Sequence, residues 1–484
     1  MSRRDFLRLG GATAAGVLLQ RRVHAEPQPM RDVVVLIPGI TGSVLRKDGK
    51  DLWALSGSAF FSALRSMGRN LDALRLNGDD ESLDDLGDGI TPHRLIDDLH
   101  IIPGLWKIDG YTAIARSLAQ AYKLTPGENY FEFPYDWRRS NVVAARRLAR
   151  ESSTWLRQWR RSSGNANAKL IFLAHSMGGL VVRYFAECLE GWRDTRMLVS
   201  FGTPYRGSLN AVGFVCNGMK KSVGPVELID LSALMRSLTS VYQLLPIYPC
   251  IDNGGSGLVR PGEARGVPNL DSARAAQALR FHRTIEQAVE GHLKDPRYVQ
   301  ARYRIHPVVG TFQATAQSAV VKAGGVDLLE TIRGQAFDGD GTVPRPSATP
   351  IELSGQNAEM FIAQTHGALQ NTDTVLVQLA RMLQPEAVGW DSFRSASELS
   401  LQLSDIHSAG EPIAFGVREA GQRSAAGLAV SVSDVASGRE VTQRQLASRE
   451  DGIYAATLAP LPAGVYRLRV SGGDESVNDS FIVA

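Results

Sequence analysis

The chain has 484 residues, 44% of them hydrophobic and 21% charged, enough apolar content for two or three packed domains and too much for global disorder. No run of 18 or more apolar residues follows residue 25, which argues against a helical membrane span. The formal charge is +3, but residues 1–25 contribute +4, so the remainder stands at −1 and gives no sign of a nucleic-acid partner.

The N-terminus pairs Arg3 and Arg4 with Phe6 and Leu7, a short apolar run and the ending Val23-His24-Ala25. That pattern predicts a twin-arginine export signal over 1–25, cleaved after Ala25, and hence a periplasmic or secreted protein. VVVLIPGI at 33–40 reads as a strand buried on both faces, as do KLIFLAHS at 169–176, MLVSFGTP at 197–204 and RIHPVVG at 304–310. The segments YTAIARSLAQAY and VVAARRLARESSTWLRQWR are amphipathic helices between the first two strands. Strand and helix thus alternate as in an open α/β sheet with right-handed crossovers.

Two insertions interrupt this rhythm, at about 53–110 and 208–270, and insertions of that length predict caps or lids over the strand ends. The first holds Trp53, Leu55, Phe60, Phe61 and Leu64, then Ile101, Ile102, Leu105 and Trp106. These apolar residues either line an acyl groove or pack the cap onto the core. It also holds GDDESLDDLGDG, whose spacing fits no calcium loop and predicts a solvated acidic loop. From about 391 to 484, short alternating runs such as PIAFGVRE and GVYRLRV predict a small β-sandwich serving as a spacer or adhesion module. Of the three cysteines, Cys188 reads as a buried small hydrophobe, and Cys216 with Cys250 is a candidate disulfide pair in an oxidising compartment.

AHSMGG at 174–179 follows an apolar strand and opens a helix, so it has the form of a G-x-S-x-G elbow with alanine in the first place. A tight strand–turn–helix needs small residues, and it would hold Ser176 at the sheet edge as a nucleophile. A base and an orienting acid should follow in chain order. His366, in AQTHGALQ before a helix, is the candidate base. His175, His282, His292 and His306 have packing or surface roles. The acid comes from AFDGDGTVP, where Asp340 is preferred and Asp338 remains an alternative. Oxyanion donors would be the amides of Met177 and of Ile40, in the loop after the first strand. This chemistry requires no cofactor and no metal.

PGITGS at 38–43, FPYDWRRS at 133–140, AHSMGG at 174–179, GTPYRGS at 202–208, DGDGTV at 338–343 and THG at 365–367 together resemble the lecithin:cholesterol acyltransferase-like family of α/β-hydrolases, over roughly residues 30–385. The resemblance implies an α/β-hydrolase at 26–390 with lid insertions, followed by the all-β region at 391–484. It also implies Ser176 as nucleophile, Asp340 as acid, His366 as base, and Ile40 and Met177 as oxyanion donors, with Tyr135 to Arg138 buttressing the site and Asp136 paired with Arg138. The cysteine pair that closes the first lid loop of the animal enzymes is absent here. The implied activity is that of a lipase, phospholipase or acyltransferase acting on a lipid or other hydrophobic ester. An esterase or polyester depolymerase, and a non-catalytic binding protein, are the alternatives.

Overall fold

The structure is a computed structural model that describes residues 26–53, 72–96, 100–102, 106–223, 226–356, 359–383, 397–421, 427–449, 451–472 and 475–484. The expected export signal, the expected boundary near 390 and the cap residues Leu55, Phe60, Phe61, Leu64 and Leu105 lie outside the described residues. Trp53, Ile101, Ile102 and Trp106 fall on the short strands Lys50–Trp53, His100–Ile102 and Trp106–Ile108.

The centre is a six-stranded parallel sheet of β1 (Val33–Ile37), β2 (Tyr130–Glu132), β3 (Leu170–His175), β4 (Thr195–Phe201), β5 (Arg304–Gly310) and β6 (Met360–Ile362), in the order β6-β5-β4-β3-β1-β2. β1 and β3 are buried at every position, as strands covered by helices on both faces must be. The four strands expected from apolar runs are present. β6, three residues long, was not anticipated, whereas β2, equally short, lies where the family resemblance implies a strand before Tyr135. The longer helices among the described residues are α1 (Thr112–Ala121), α2 (Asn141–Ser163), α3 (Gly178–Cys188), α4 (Leu209–Cys216), α5 (Ser272–His292) and α6 (Asp373–Met382). Ser140 caps α2 by accepting from Val142 N–H, and Gly164 closes it in the left-handed region at φ +70°. The strand order reverses between β1 and β3. At that switch point the loops leaving two neighbouring strands part in opposite directions and open a crevice at the carboxyl edge. Ile37 and Ala174 are register partners there, so Pro38-Gly39 and His175-Ser176 emerge side by side.

The C-terminal region is all-β, with its own hydrophobic core. One sheet orders β7 (Ser397–Leu403), β9 (Ile413–Gly421) and β12 (Ile453–Leu458). The other orders β8 (Ile406–His407), β14 (Glu475–Val483), β13 (Gly464–Gly472), β10 (Leu428–Asp434) and β11 (Glu440–Leu446). Leu399, Phe415 and Tyr454 from the first meet Val430, Leu468 and Phe481 from the second, the inward-facing alternation of a sandwich. Among the described residues no helix is long and apolar enough to cross a membrane. Cys216 and Cys250 are both buried and free, so the candidate disulfide is not formed, and Cys188 is half-buried.

Candidate active site

Ser176 stands between β3 and α3 at φ +52°, a left-handed conformation that costs a non-glycine residue about 1–3 kcal/mol. Three hydrogen bonds hold it there. Its N–H donates to Phe201 O (2.8 Å), and its carbonyl accepts from the Thr203 hydroxyl (2.9 Å) and from Gly179 N–H (3.1 Å). The following glycines are sterically required: a Cβ on Gly178 would lie 2.5 Å from Pro38 O, and one on Gly179 would run into the Thr203 side chain.

His366 follows β6, at the start of a 3-10 turn (His366–Asn371) rather than of a continuous helix; Thr372 then caps α6. The His366 Nε2 is 2.9 Å from Ser176 Oγ, and its Nδ1 is 2.7 Å from Asp340 Oδ2. The other Asp340 oxygen accepts from Thr342 N–H (2.9 Å) and Val343 N–H (2.7 Å), while His366 N–H donates to the Asp340 carbonyl (2.8 Å). A carboxylate can only accept, so Nδ1 carries the proton and Nε2 is free to accept from the serine hydroxyl. All three residues are buried. Asp340 thus reaches His366, whereas Asp338 sits at φ +56° with its carbonyl accepting from Arg345 N–H. Gly202, at φ +58°, is needed beside them: a Cβ there would meet Asp340 Oδ2 at 2.7 Å and His366 Nδ1 at 2.9 Å.

The β1 loop packs directly on the serine, since a Cβ on Gly39 would lie 2.8 Å from Ser176 Cβ. Ile40 is buried in this turn, and Met177 immediately precedes α3, where an N–H has no acceptor within the helix. Behind the turn runs a chain of groups that sequence patterns did not disclose. Burial, then the nearby His366, push the His175 pKa down to about 3, so its ring is neutral. Its Nε2 donates to the His366 carbonyl (3.1 Å), leaving Nδ1 to accept from the Tyr111 hydroxyl (3.0 Å), whose oxygen accepts from Gly39 N–H (2.9 Å). Burial raises the Tyr111 pKa, so that proton is retained. The backbone of the β1 loop and that of His366 are therefore tied together through two side chains.

FPYDWRRS braces the same loop from another side. Tyr135 Oη donates to Pro38 O (3.1 Å), its N–H to Ser43 Oγ (3.0 Å), and Trp137 Nε1 to Ser43 O (3.0 Å). Arg138 pairs with Asp136 (2.6 Å), as expected, and also with Asp88 (2.9 Å). Arg139 pairs with Asp79 (2.9 Å) and donates to the carbonyls of Asp80, Leu83 and Asp84. The acidic run is therefore only partly the solvated loop expected. Asp80, Asp84 and Asp85 are exposed, but Asp79 and Asp88 turn inward to neutralise two buried guanidinium groups. Two adjacent arginines with only one carboxylate, Asp136, in FPYDWRRS were the available signal, because buried cations require partners.

Residues 106–261 match the family model described as Lecithin:cholesterol acyltransferase. No curated protein matches the chain. Among solved structures, the Bacillus licheniformis lipase BlEst2 is similar at 11% identity in its propeptide form, covering 94% of this chain and 74% of that one with a TM-score of 0.31. In its mature form it is similar at 12% identity, covering 74% and 94% with a TM-score of 0.32. The CARDB domain of a Pyrococcus furiosus protein is similar at 12% identity over 18% of this chain and 94% of its own, with a TM-score of 0.15. The likeness to lecithin:cholesterol acyltransferase at residues 106–261, together with the Ser176–His366–Asp340 arrangement, supports a role of the hydrolase/acyltransferase class.

Proposed function

We propose that the chain is an exported serine-dependent lipase, phospholipase or acyltransferase that cleaves an acyl ester through an acyl-serine intermediate. The observation that carries this reading is the hydrogen-bonded series Asp340–His366–Ser176 at the switch point of a parallel sheet. His366 Nε2 takes the Ser176 proton as Oγ bonds to the ester carbonyl carbon. The carbonyl electron pair moves to oxygen, where the amides of Ile40 and Met177 receive it. Collapse breaks the bond to the alcohol oxygen, which leaves with the proton from His366. Water or a second alcohol repeats the sequence in reverse and releases acid or a new ester. Asp340 fixes the Nδ1–H tautomer throughout and favours the imidazolium. A lipid or other hydrophobic ester, presented at a lipid surface, is the substrate class; no cofactor takes part.

The test is covalent labelling by a fluorophosphonate followed by mass spectrometry of products from mixed lipid vesicles, with and without a fatty-alcohol acceptor. Labelling at Ser176 that vanishes in Ser176→Ala, with release of fatty acid or ester, supports the reading; an unlabelled, inactive wild type removes it. Export is tested separately by N-terminal sequencing of the mature protein, expected to begin at Glu26.

A further inference from the structure

Two buried glutamines, Gln313 just beyond β5 and Gln364 just beyond β6, reach from the loops of the proposed acid and base into the C-terminal sandwich. The Gln313 amide donates through Nε2 to Leu399 O (2.8 Å) and accepts through Oε1 from Leu401 N–H (3.2 Å), both on β7. The Gln364 amide repeats the pattern on β14, where Nε2 donates to Ser476 O (3.5 Å) and Oε1 accepts from Asn478 N–H (3.4 Å). In each case the partners are the carbonyl of one strand residue and the N–H of the next but one, groups that a strand turns to the same side. A carboxamide carries the acceptor and donor of a peptide group, so each glutamine pairs with its strand as a neighbouring strand would.

Both ties continue to Asp340 and His366. Gln313 N–H donates to Gly339 O (3.0 Å), and its carbonyl accepts from the Thr315 hydroxyl (2.9 Å), whose oxygen accepts from Gly341 N–H (2.9 Å). The residues on either side of Asp340 are thus fastened to Gln313. On the other loop, Gln364 Oε1 also accepts from Thr365 N–H (2.8 Å), and the Thr365 hydroxyl donates to Asn478 O (3.1 Å). Beyond the histidine, Gly367 O accepts from Asp109 N–H (3.1 Å), and the Asp109 carboxylate pairs with Arg467 of β13 (2.8 Å). His366 is therefore flanked on both sides by residues whose bonds lead to the sandwich.

We propose that Gln313 and Gln364 are positioning residues through which the C-terminal sandwich sets the alignment of Asp340 with His366, and so of His366 with Ser176; this rests on the proposed acyl-serine chemistry. Acid and base stand on different loops, and a shift of one loop against the other stretches the 2.7 Å contact between them and the 2.9 Å contact to the serine. Such shifts are costly in rate, about 10²-fold for a misplacement of about 1 Å. The Thr342 and Val343 amides that orient the Asp340 carboxylate belong to its own loop and move with it. The bond from His366 N–H to the Asp340 carbonyl joins the two loops directly. The sandwich bridges them a second time, because β7 holds Gln313, β14 holds Gln364, and both strands contribute to one hydrophobic core. Replacing either carboxamide by an apolar side chain opens that bridge at one end and leaves strand N–H and C=O groups without their partner.

The test is a double-mutant cycle in the full chain, read by the rate of fluorophosphonate labelling at Ser176 and by kcat on a soluble vinyl ester. Gln313→Met keeps the length of the side chain and removes its amide. Labelling rate and kcat should each fall about tenfold, with KM changed less than about threefold. In an Asp340→Asn background, where the alignment is already lost, the same substitution should lower the labelling rate less than about twofold, because a residue acting through Asp340 has little left to take away. A merely structural contribution would act equally in both backgrounds. Gln364→Met, at the other end of the bridge, is expected to behave alike and decides the matter if Gln313→Met does not fold. An unchanged labelling rate in the folded variants, or the same fall in both backgrounds, overturns the proposal while leaving acyl-serine chemistry intact. Absence of labelling and of vinyl-ester turnover in the wild type would instead remove the function on which it rests.

Discussion

The hydroxyl of Tyr111 lies 3.0 Å from Nδ1 of His175, and through that contact the β1 loop and the His366 backbone share one support. Tyr111→Phe deletes the acceptor for Gly39 N–H and the donor to His175 together, while keeping the ring that packs edge-on against His175. Each lost bond costs about 1 kcal/mol where its partner stays buried. Because the displaced groups position the proposed oxyanion amide and the proposed base, the loss should fall on kcat: a decrease of about 5–30-fold with KM changed less than about threefold, measured by steady-state kinetics on a soluble ester. A pure KM effect would show that the network shapes binding instead.

The sequence favours Asp340 over Asp338 as the acid, and their geometry makes opposite predictions. Asp340→Asn places an amide where Oδ2 accepts from His366 Nδ1–H, forcing the wrong tautomer, and kcat should drop by about 10³–10⁴. Asp338→Asn leaves its backbone carbonyl bond to Arg345 in place and should keep kcat within about threefold. Comparable losses in the two variants would count against Asp340 as the orienting acid.

Gly202 is a sharper probe of how closely the pair is packed. Alanine there must adopt φ +58° and set a methyl group 2.7 Å from Asp340 Oδ2. Gly202→Ala should reduce fluorophosphonate labelling by at least about tenfold while the far-ultraviolet spectrum stays that of a folded α/β protein, since the strain is local to the pair. Labelling at the wild-type rate would show that the pair can move aside.

What the sequence made legible follows from how strongly each feature is constrained. β1 and β3 are apolar runs because they are buried at every position, β4 and β5 show through their buried carboxyl-terminal portions, and the elbow shows because glycine alone fits beside Pro38 O. β6 escaped notice because a three-residue edge strand carries too little pattern to stand out from loops. Tyr111 reads as the first residue of an amphipathic helix, and nothing local says that its hydroxyl meets His175 from 64 residues away.

Acidification should destabilise the fold before it protonates the carboxylates. Burial depresses the pKa of His175 to about 3, and those of His282 and His306 to about 4. In the unfolded chain these rings take up protons near pH 6.5, whereas in the folded chain they stay neutral to about pH 4. Between those values the unfolded state binds more protons, so stability is full above about pH 6.5 and falls as the pH drops towards 4. His282 can be isolated, because its Nε2 donates to Gln243 O (2.7 Å) and a glutamine amide can replace that donor. His282→Gln should flatten the urea-midpoint profile between pH 6.5 and 4, by at most about 1.4 kcal/mol per pH unit. An unchanged slope would show that His282 titrates normally in the folded protein.

The acidic loop offers a contrast between two ion pairs of one segment. Asp79 and Arg139 are both nearly inaccessible, at 4% and 3% exposure, and Asp79 Oδ2 also accepts from Ser140 N–H (2.7 Å) at the start of α2. Asp84 and Arg150 pair at a similar distance but are half exposed. Asp79→Ala strands a buried guanidinium and should cost about 3–5 kcal/mol, whereas Asp84→Ala should cost no more than about 1 kcal/mol. Asp79→Asn should fall between them, since the amide can still accept but no longer neutralises Arg139. Arg139 belongs to the same FPYDWRRS segment as Trp137 and Tyr135, whose hydrogen bonds hold Ser43 and Pro38, so Asp79→Ala should also lower kcat at temperatures where the protein is still folded. Chemical denaturation of the three variants, with kinetics in the native baseline, separates the two effects. Equal stability of Asp79→Ala and Asp84→Ala would mean that the inward-turned carboxylate does not neutralise Arg139.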